Sequence, residues 1–200
     1  MIIVTTLAQH LDDDTKYNER EKQYMYSMAR IFSYNLPVYG VVSETHNNSE
    51  FKPKQLFPFE KLVEIESFNK NMTKSQKEFN SIKLLMSNLD IDDNFWVIKI
   101  SGRYMIYNDV FIESVKKSSD NIKAVIRTCD NNTQMYTFLF ALRFKYFKEY
   151  FIKYNITNDI NLEKLTLLYI QNILGDDEIN YVNDLGIICN IADCNVFTYF

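Results

Sequence analysis

Trp96-Val97-Ile98-Lys99-Ile100-Ser101-Gly102-Arg103-Tyr104 is the stretch that decides the fold. From Phe95 to Ile100 it is a nearly unbroken apolar run, not an alternation. Such a run reads as a strand covered on both faces, the position of a central strand in a largely parallel sheet flanked by helices. The strand ends abruptly in a small residue, a glycine and a cation. In open α/β sheets ligands bind just beyond the carboxyl ends of the strands. Gly102 lets the backbone approach a ligand or take a positive φ, and the Arg103 guanidinium presents a planar fork suited to phosphate oxygens. Lys99, within the strand, is either an edge residue reaching solvent or a charge at the mouth of a cleft. From these residues alone, a phosphate-contacting turn and an ordinary turn with an exposed arginine are equally open.

Outward from this stretch, strands and helices interleave. Ile2 to Thr6 is short and β-branched and reads as a buried strand. Asp12-Asp13-Asp14-Thr15 supplies caps for a helix from about Lys16 to Tyr34, and Pro37 ends it before a second strand, Val38 to Val42. Thr45 to Pro58 reads as a loop, and Leu62 to Ile65 as a short strand. Thr73 to Gln76 caps a helix reaching about Leu89, whose start is crowded by Lys70, Lys74 and Lys77. Cations at that end oppose the helix dipole unless they help hold an anion there; on spacing alone a solvated basic face is the simpler account of them. A helix at Asp109–Lys117, strands at Ile122–Thr128 and Met135–Leu142, helices at Arg143–Tyr154 and Leu162–Ile173, and two final strands, Leu185–Cys189 and Asn195–Tyr199, complete the pattern. The fold class expected is α/β, with a mixed, mostly parallel central sheet between helices, spanning residues 1–200 as one domain.

The charge balance, 22 Lys and Arg against 26 Asp and Glu, argues against nucleic acid as a partner, which needs cations to displace condensed counterions. Cys129, Cys189 and Cys194 form no C-x-x-C pair, and His10 and His46 are the only histidines, so a structural zinc site is not expected. No segment is long and apolar enough to span a bilayer, and no signal peptide is evident; a cytoplasmic location is expected. A second basic and carboxylate pair, Arg127 and Asp130, follows another predicted strand. It shares an edge with Ser101–Tyr104 if the two strands are parallel. Glu163 opens a helix, where an acidic residue also serves the helix dipole.

Taken together, these segments resemble the small GT-A-type (Rossmann-like) glycosyltransferases of bacterial surface-polysaccharide clusters and large DNA viruses. The likeness is carried by the first strand ending in Thr5-Thr6, by Lys74-Ser75-Gln76-Lys77-Glu78, by Asp92-Asp93, and above all by Lys99-x-Ser101-Gly102-Arg103-Tyr104; Glu163-Lys164 is a further, weaker match. The resemblance implies transfer of a sugar from a UDP-, GDP- or CMP-sugar to a glycan or other hydroxyl acceptor. It implies nucleotide-sugar contacts at Thr5, Thr6, Lys74, Glu78, Lys99, Ser101, Gly102, Arg103, Tyr104 and Arg127. Many GT-A enzymes hold Mg²⁺ or Mn²⁺ on an Asp-x-Asp where this chain has Ser101-Gly102-Arg103. Fixed cations in place of a metal, with no cofactor, are therefore expected, and Asp130 and Glu163 are the candidates for a catalytic base beside Arg103. A nucleotidyltransferase and a non-catalytic nucleotide- or glycan-binding module are the alternatives.

Overall fold

The computed structural model describes residues 1–8, 14–43, 52–69, 71–156, 161–190 and 197–199. His10, His46, Lys70, Cys194, Asp12, Asp13 and the first half of the expected Thr45–Pro58 loop lie outside them. Seven strands form the main sheet in the order β10-β6-β9-β4-β1-β2-β3. They are β1 (Ile2–Ala8), β2 (Val38–Ser43), β3 (Lys61–Ile65), β4 (Trp96–Ser101), β6 (Ala124–Ile126), β9 (Leu139–Arg143) and β10 (Ile179–Tyr181). β1 pairs in parallel with β2 and β4, β2 with β3, and β6 with β10. Only β9 runs against its neighbours β4 and β6. The expected mostly parallel α/β sheet is therefore present, and β4, buried from Trp96 to Ile100, is its middle strand.

The two faces are covered by different helices. α1 (Asp14–Phe32) and α4 (Val110–Lys117) bury Tyr24, Met28 and Ile31, and Phe111, Ile112 and Val115, against one face with Ile3, Leu7, Ile98 and Ile100. α3 (Lys74–Met86), α5 (Phe144–Lys153) and α6 (Leu162–Ile173) bury Phe79, Ile82, Leu85, Phe147, Tyr150 and Ile170 against the other, with Val4 and Val97. This division has a topological cause. β1 leads through α1 to β2 on one side, whereas β3 returns through α3 to β4 on the other. The gap between β1 and β4 is thus the switch point at which such sheets open a ligand crevice.

Several boundaries differ from the sequence reading. Part of the expected loop forms a one-turn helix, α2 (Pro53–Leu56), started by a proline in its first turn. The strand expected over Ile122–Thr128 stops at Ile126, and Thr128–Cys129 (β7) pairs instead with Gln134–Met135 (β8) as a hairpin. Asp130, Asn131 and Asn132 bridge that hairpin at positive φ, a conformation that Asn and Asp tolerate better than other side chains. The strand expected over Met135–Leu142 breaks at Tyr136–Phe138 between β8 and β9. Met105–Ile106 (β5), unforeseen, pairs with β11 (Ile187–Asn190), which pairs with β12 (Phe197–Tyr199) in a small second sheet.

Candidate active site at the carboxyl edge of the sheet

Register places Thr6 directly beside Ser101 at the carboxyl ends of β1 and β4. Side chains alternate along a strand, so Lys99 and Ser101 share the face covered by α3. There the capping box of Thr73 and Gln76 fixes the helix start and presents Glu78 one turn later. Glu78 Oε1 is the hub. Lys99 Nζ lies 2.5 Å from it, and the Ser101 and Thr6 hydroxyls each donate to it at 3.1 Å. Lys99 also donates to Ser101 Oγ (2.9 Å) and to the Thr137 carbonyl (2.7 Å). The two motif residues that the sequence presents 21 positions apart are therefore one ion pair.

Lys99 is 2% exposed and Glu78 28%. Burial pushes the Glu78 carboxyl up, but the Lys99 charge, its hydrogen bond, and the Ser101 and Thr6 donors outweigh that and hold it below the usual carboxylate range. Lys99, with three protons and three acceptors, has none left for a phosphate in this arrangement. It orders the edge and does not reach into it. A narrow cavity behind Glu78 and Lys99, lined also by Thr137, Phe140 and Thr166, has room for no more than about one water.

Gly102 takes no positive φ. Its N–H donates to the Thr6 carbonyl at 2.9 Å, and a Cβ there would stand 2.3 Å from Leu7 Cδ2 and 3.1 Å from Thr5 Oγ1. The close approach that needs glycine is thus to β1. Thr5 faces the side opposite Thr6, fully buried, and its hydroxyl has no hydrogen-bond partner among the described residues. Arg103, half-buried, donates to the Tyr104 hydroxyl at 3.0 Å and lies over its ring. Ser27 of α1 donates to the Tyr104 carbonyl at 2.7 Å, and the Tyr24 hydroxyl donates to the Ala8 carbonyl and accepts from the Ala8 N–H, pinning the end of β1.

The remaining predicted residues are more dispersed. β6 is antiparallel to β9, as β4 is, so β6 and β4 are parallel and Arg127 does emerge on the same edge as Ser101. Glu163, half-buried in the first turn of α6, accepts from the Thr137 hydroxyl at the long distance of 3.5 Å, which links it through Thr137 to Lys99. Asp130 sits exposed at the tip of the β7–β8 hairpin, its carboxylate accepting from Gln134 at 2.9 Å. Lys74 is exposed in the first turn of α3. Asp92 and Asp93 precede β4 and lie at the opposite, amino edge, where the Asp93 carbonyl accepts from the Lys145 N–H. Sequence reasoning missed Thr137, Tyr24 and Ser27. Only Thr137 left a signal, as a polar residue inside an apolar run.

The strand order, the lone antiparallel strand and the switch point define the α/β fold shared by nucleotidyltransferases and GT-A-type nucleotide-diphospho-sugar transferases. Among solved structures, the chain is similar to the inositol-1-phosphate CTP transferase of T. maritima (TM-score 0.60, 12% identity, 90% of this chain and 84% of that one). It is also similar to a 4-diphosphocytidyl-2C-methyl-D-erythritol synthase of Anaerococcus prevotii (TM-score 0.51, 15% identity, 90% and 86%). A glycosyltransferase of Streptococcus pneumoniae shares the fold as well (TM-score 0.51, 10% identity, 92% of this chain but 45% of that one). No protein-family model and no curated protein matches the sequence. No described helix is long and apolar enough to cross a membrane.

Proposed function

We infer that the chain is a nucleotide-sugar-dependent glycosyltransferase whose donor lies over the carboxyl ends of β1 and β4. The observation that carries this reading is the Thr6–Ser101 pairing at the switch point, with both hydroxyls fixed by Glu78 and with Arg103 immediately beyond. The fold serves both glycosyl and nucleotidyl transfer. What favours glycosyl transfer is the sequence after β1. Doubly wound sheets that cradle phosphates on their first connection do so with glycines. Here that connection reads Gln9-His10-Leu11-Asp12-Asp13-Asp14, with no glycine, so it lacks the sequence of such a cradle.

Breaking the bond between a sugar and a diphosphate loads negative charge onto the leaving oxygen, and fixed cations there lower the barrier. Arg103 is the residue best placed to take that charge, with Lys74 a second cation in the first turn of α3. Lys99 acts at one remove, through Glu78 and the two hydroxyls. As the acceptor oxygen bonds to the anomeric carbon, its proton passes to Glu163, and the nucleoside diphosphate leaves with the electrons of the broken bond. Where an Asp-x-Asp would hold a divalent cation, the chain offers a glycine, a hydroxyl committed to Glu78, and positive charge on Lys99 and Arg103. That donor set suits an anion better than Mg²⁺ or Mn²⁺.

Thermal-shift measurements with UDP-, GDP- and CMP-sugars, followed by transfer assays before and after chelation, test this reading. At least one donor is expected to stabilise the protein, and transfer should survive EDTA. No stabilisation by any nucleotide-sugar would favour a non-catalytic interaction module. Pyrophosphate release from a nucleoside triphosphate and a sugar phosphate would favour nucleotidyl transfer. Activity abolished by EDTA and restored by Mn²⁺ would refute the fixed-cation mechanism.

A further inference from the structure

Along the same edge, on the side of β4 away from β1, runs a row of rings. Tyr104 meets Phe138 edge-on at 4.9 Å between centroids, and Phe138 meets Tyr136 at 5.1 Å. A guanidinium lies over each end ring: Arg103 over Tyr104 at 5.0 Å and Arg127 over Tyr136 at 5.3 Å. All five residues are partly buried, and the three rings pack against the core on that face. The row is held in place by its neighbours. Tyr136 and Phe138 alternate with the buried Met135, Thr137 and Leu139, and the Tyr136 N–H donates to the Arg127 carbonyl at 3.0 Å. Thr137, between the two rings, turns to the other face, where its hydroxyl meets Glu163 and its carbonyl meets Lys99.

We propose that this row is the acceptor subsite and that it selects a sugar carrying a negative charge, a uronic acid or a sugar phosphate. The proposal rests on the glycosyltransferase reading. Three features carry it. The apolar C–H face of a pyranose packs well on aromatic rings, which supply area with little entropy loss. Arg127 lies at the end of the row farthest from the switch point, where its fork matches a carboxylate or phosphate bidentately. Arg103, at the near end, stands between this row and the donor's diphosphate. Lastly, the segment that carries the rings is anchored from its other face, where Thr137 reaches Glu163 and Lys99, so the row is held rigidly beside the switch point.

Titration calorimetry with matched pairs tests this: p-nitrophenyl β-D-glucuronide against p-nitrophenyl β-D-glucoside, and glucose 6-phosphate against glucose, which separates carboxylate from phosphate as the preferred charge. The wild-type protein should bind the charged member of at least one pair roughly tenfold more tightly or better. Arg127→Gln should erase that preference, Arg127→Lys should restore part of it, and Tyr136→Ala should weaken charged and neutral sugars alike. Thermal unfolding of each variant confirms that it folds. Equal binding of charged and neutral sugars by the wild type overturns the proposal, as does a preference that survives Arg127→Gln. Donor binding by the wild type is measured alongside. Donor binding without a charge preference removes the acceptor proposal alone, whereas a charge preference without donor binding removes the glycosyltransferase reading and keeps the anionic-sugar site.

Discussion

The Glu78–Lys99 pair offers the most direct test of how the edge is held together. In Glu78→Gln the Lys99 ammonium stays 2% exposed and loses its counter-charge, keeping only neutral acceptors: the Ser101 hydroxyl, the Thr137 carbonyl and the new amide oxygen. Removing one member of a buried pair costs about 3–5 kcal/mol, and the partial exposure of Glu78 lowers that here to roughly 2–4 kcal/mol. Lys99→Met leaves Glu78 with the Thr6 and Ser101 donors and access to water, so its cost should be smaller, about 1–2 kcal/mol. The double variant puts an apolar chain of similar length beside a neutral amide and should lie within about 1 kcal/mol of the wild type. Urea denaturation of the four proteins gives the cycle, and its coupling energy should be clearly non-zero. The pH dependence has a definite sign. Glu78 is held below its ordinary value in the folded chain, so the stability it contributes is fully present above the unfolded value of about 4.3. That stability is lost as pH falls through the lowered folded value. The wild type's advantage over Glu78→Gln should therefore hold near neutrality and shrink from about pH 4 downward. A Glu78→Gln protein within about 0.5 kcal/mol of the wild type, or single-variant costs that simply add in the double, would refute the claim that the two side chains act as one unit.

Other perturbations probe neighbouring features. Gly102→Ala drives a methyl toward Leu7 Cδ2 in a fully buried site, so it should cost about 1–3 kcal/mol, read as a lower urea midpoint; a neutral effect would mean that β1 and the turn are not closely packed. Glu163→Gln should lower the turnover number by roughly 10²-fold or more and leave the thermal midpoint near that of the wild type. Asp130→Asn, at the exposed hairpin tip, should retain most of the turnover; the reverse ranking would make Asp130 the base. Burial, with the Asp130 and Glu163 charges adding to it, pushes the Cys129 thiol up. Alkylation of Cys129 at pH 8, followed by peptide mass mapping, should accordingly run slower than that of a free cysteine, whose thiolate fraction is larger; equal rates would contradict the burial.

How much of this edge the sequence discloses depends on which residues neighbour each other only through the fold. Composition and the apolar run already place β4 at the centre of a parallel sheet, and the strand's end at Ser101 marks the ligand edge. Strand alternation makes it impossible for Thr5 and Thr6 to face the same ligand; only the parallel register with β4 shows that Thr6 is the one beside Ser101. Lys99 and Glu78 each stand out in the sequence as a cation and an anion near an expected phosphate contact, yet their pairing depends on which face α3 covers, and that follows from the direction of the β3–β4 crossover, not from any local signal. Gly102 likewise invites a ligand contact, whereas the backbone it admits is that of β1. A run such as Asp130-Asn131-Asn132 is what a left-handed connection calls for, although the sequence reading takes Asp130 as a site carboxylate and places no hairpin there. A residue holding such a turn is poorly suited to serve as a catalytic base, because its side chain is drawn into the loop's own hydrogen bonds, as the Gln134 contact shows. Glu163 has the opposite standing: half-buried in the first turn of α6 and tied to the Lys99 network through Thr137, which sits in a break of an apolar run that no turn residue announces. The part of the site that the sequence hides is thus the part assembled across strands, and the ion pair at its centre is what makes that assembly a single piece.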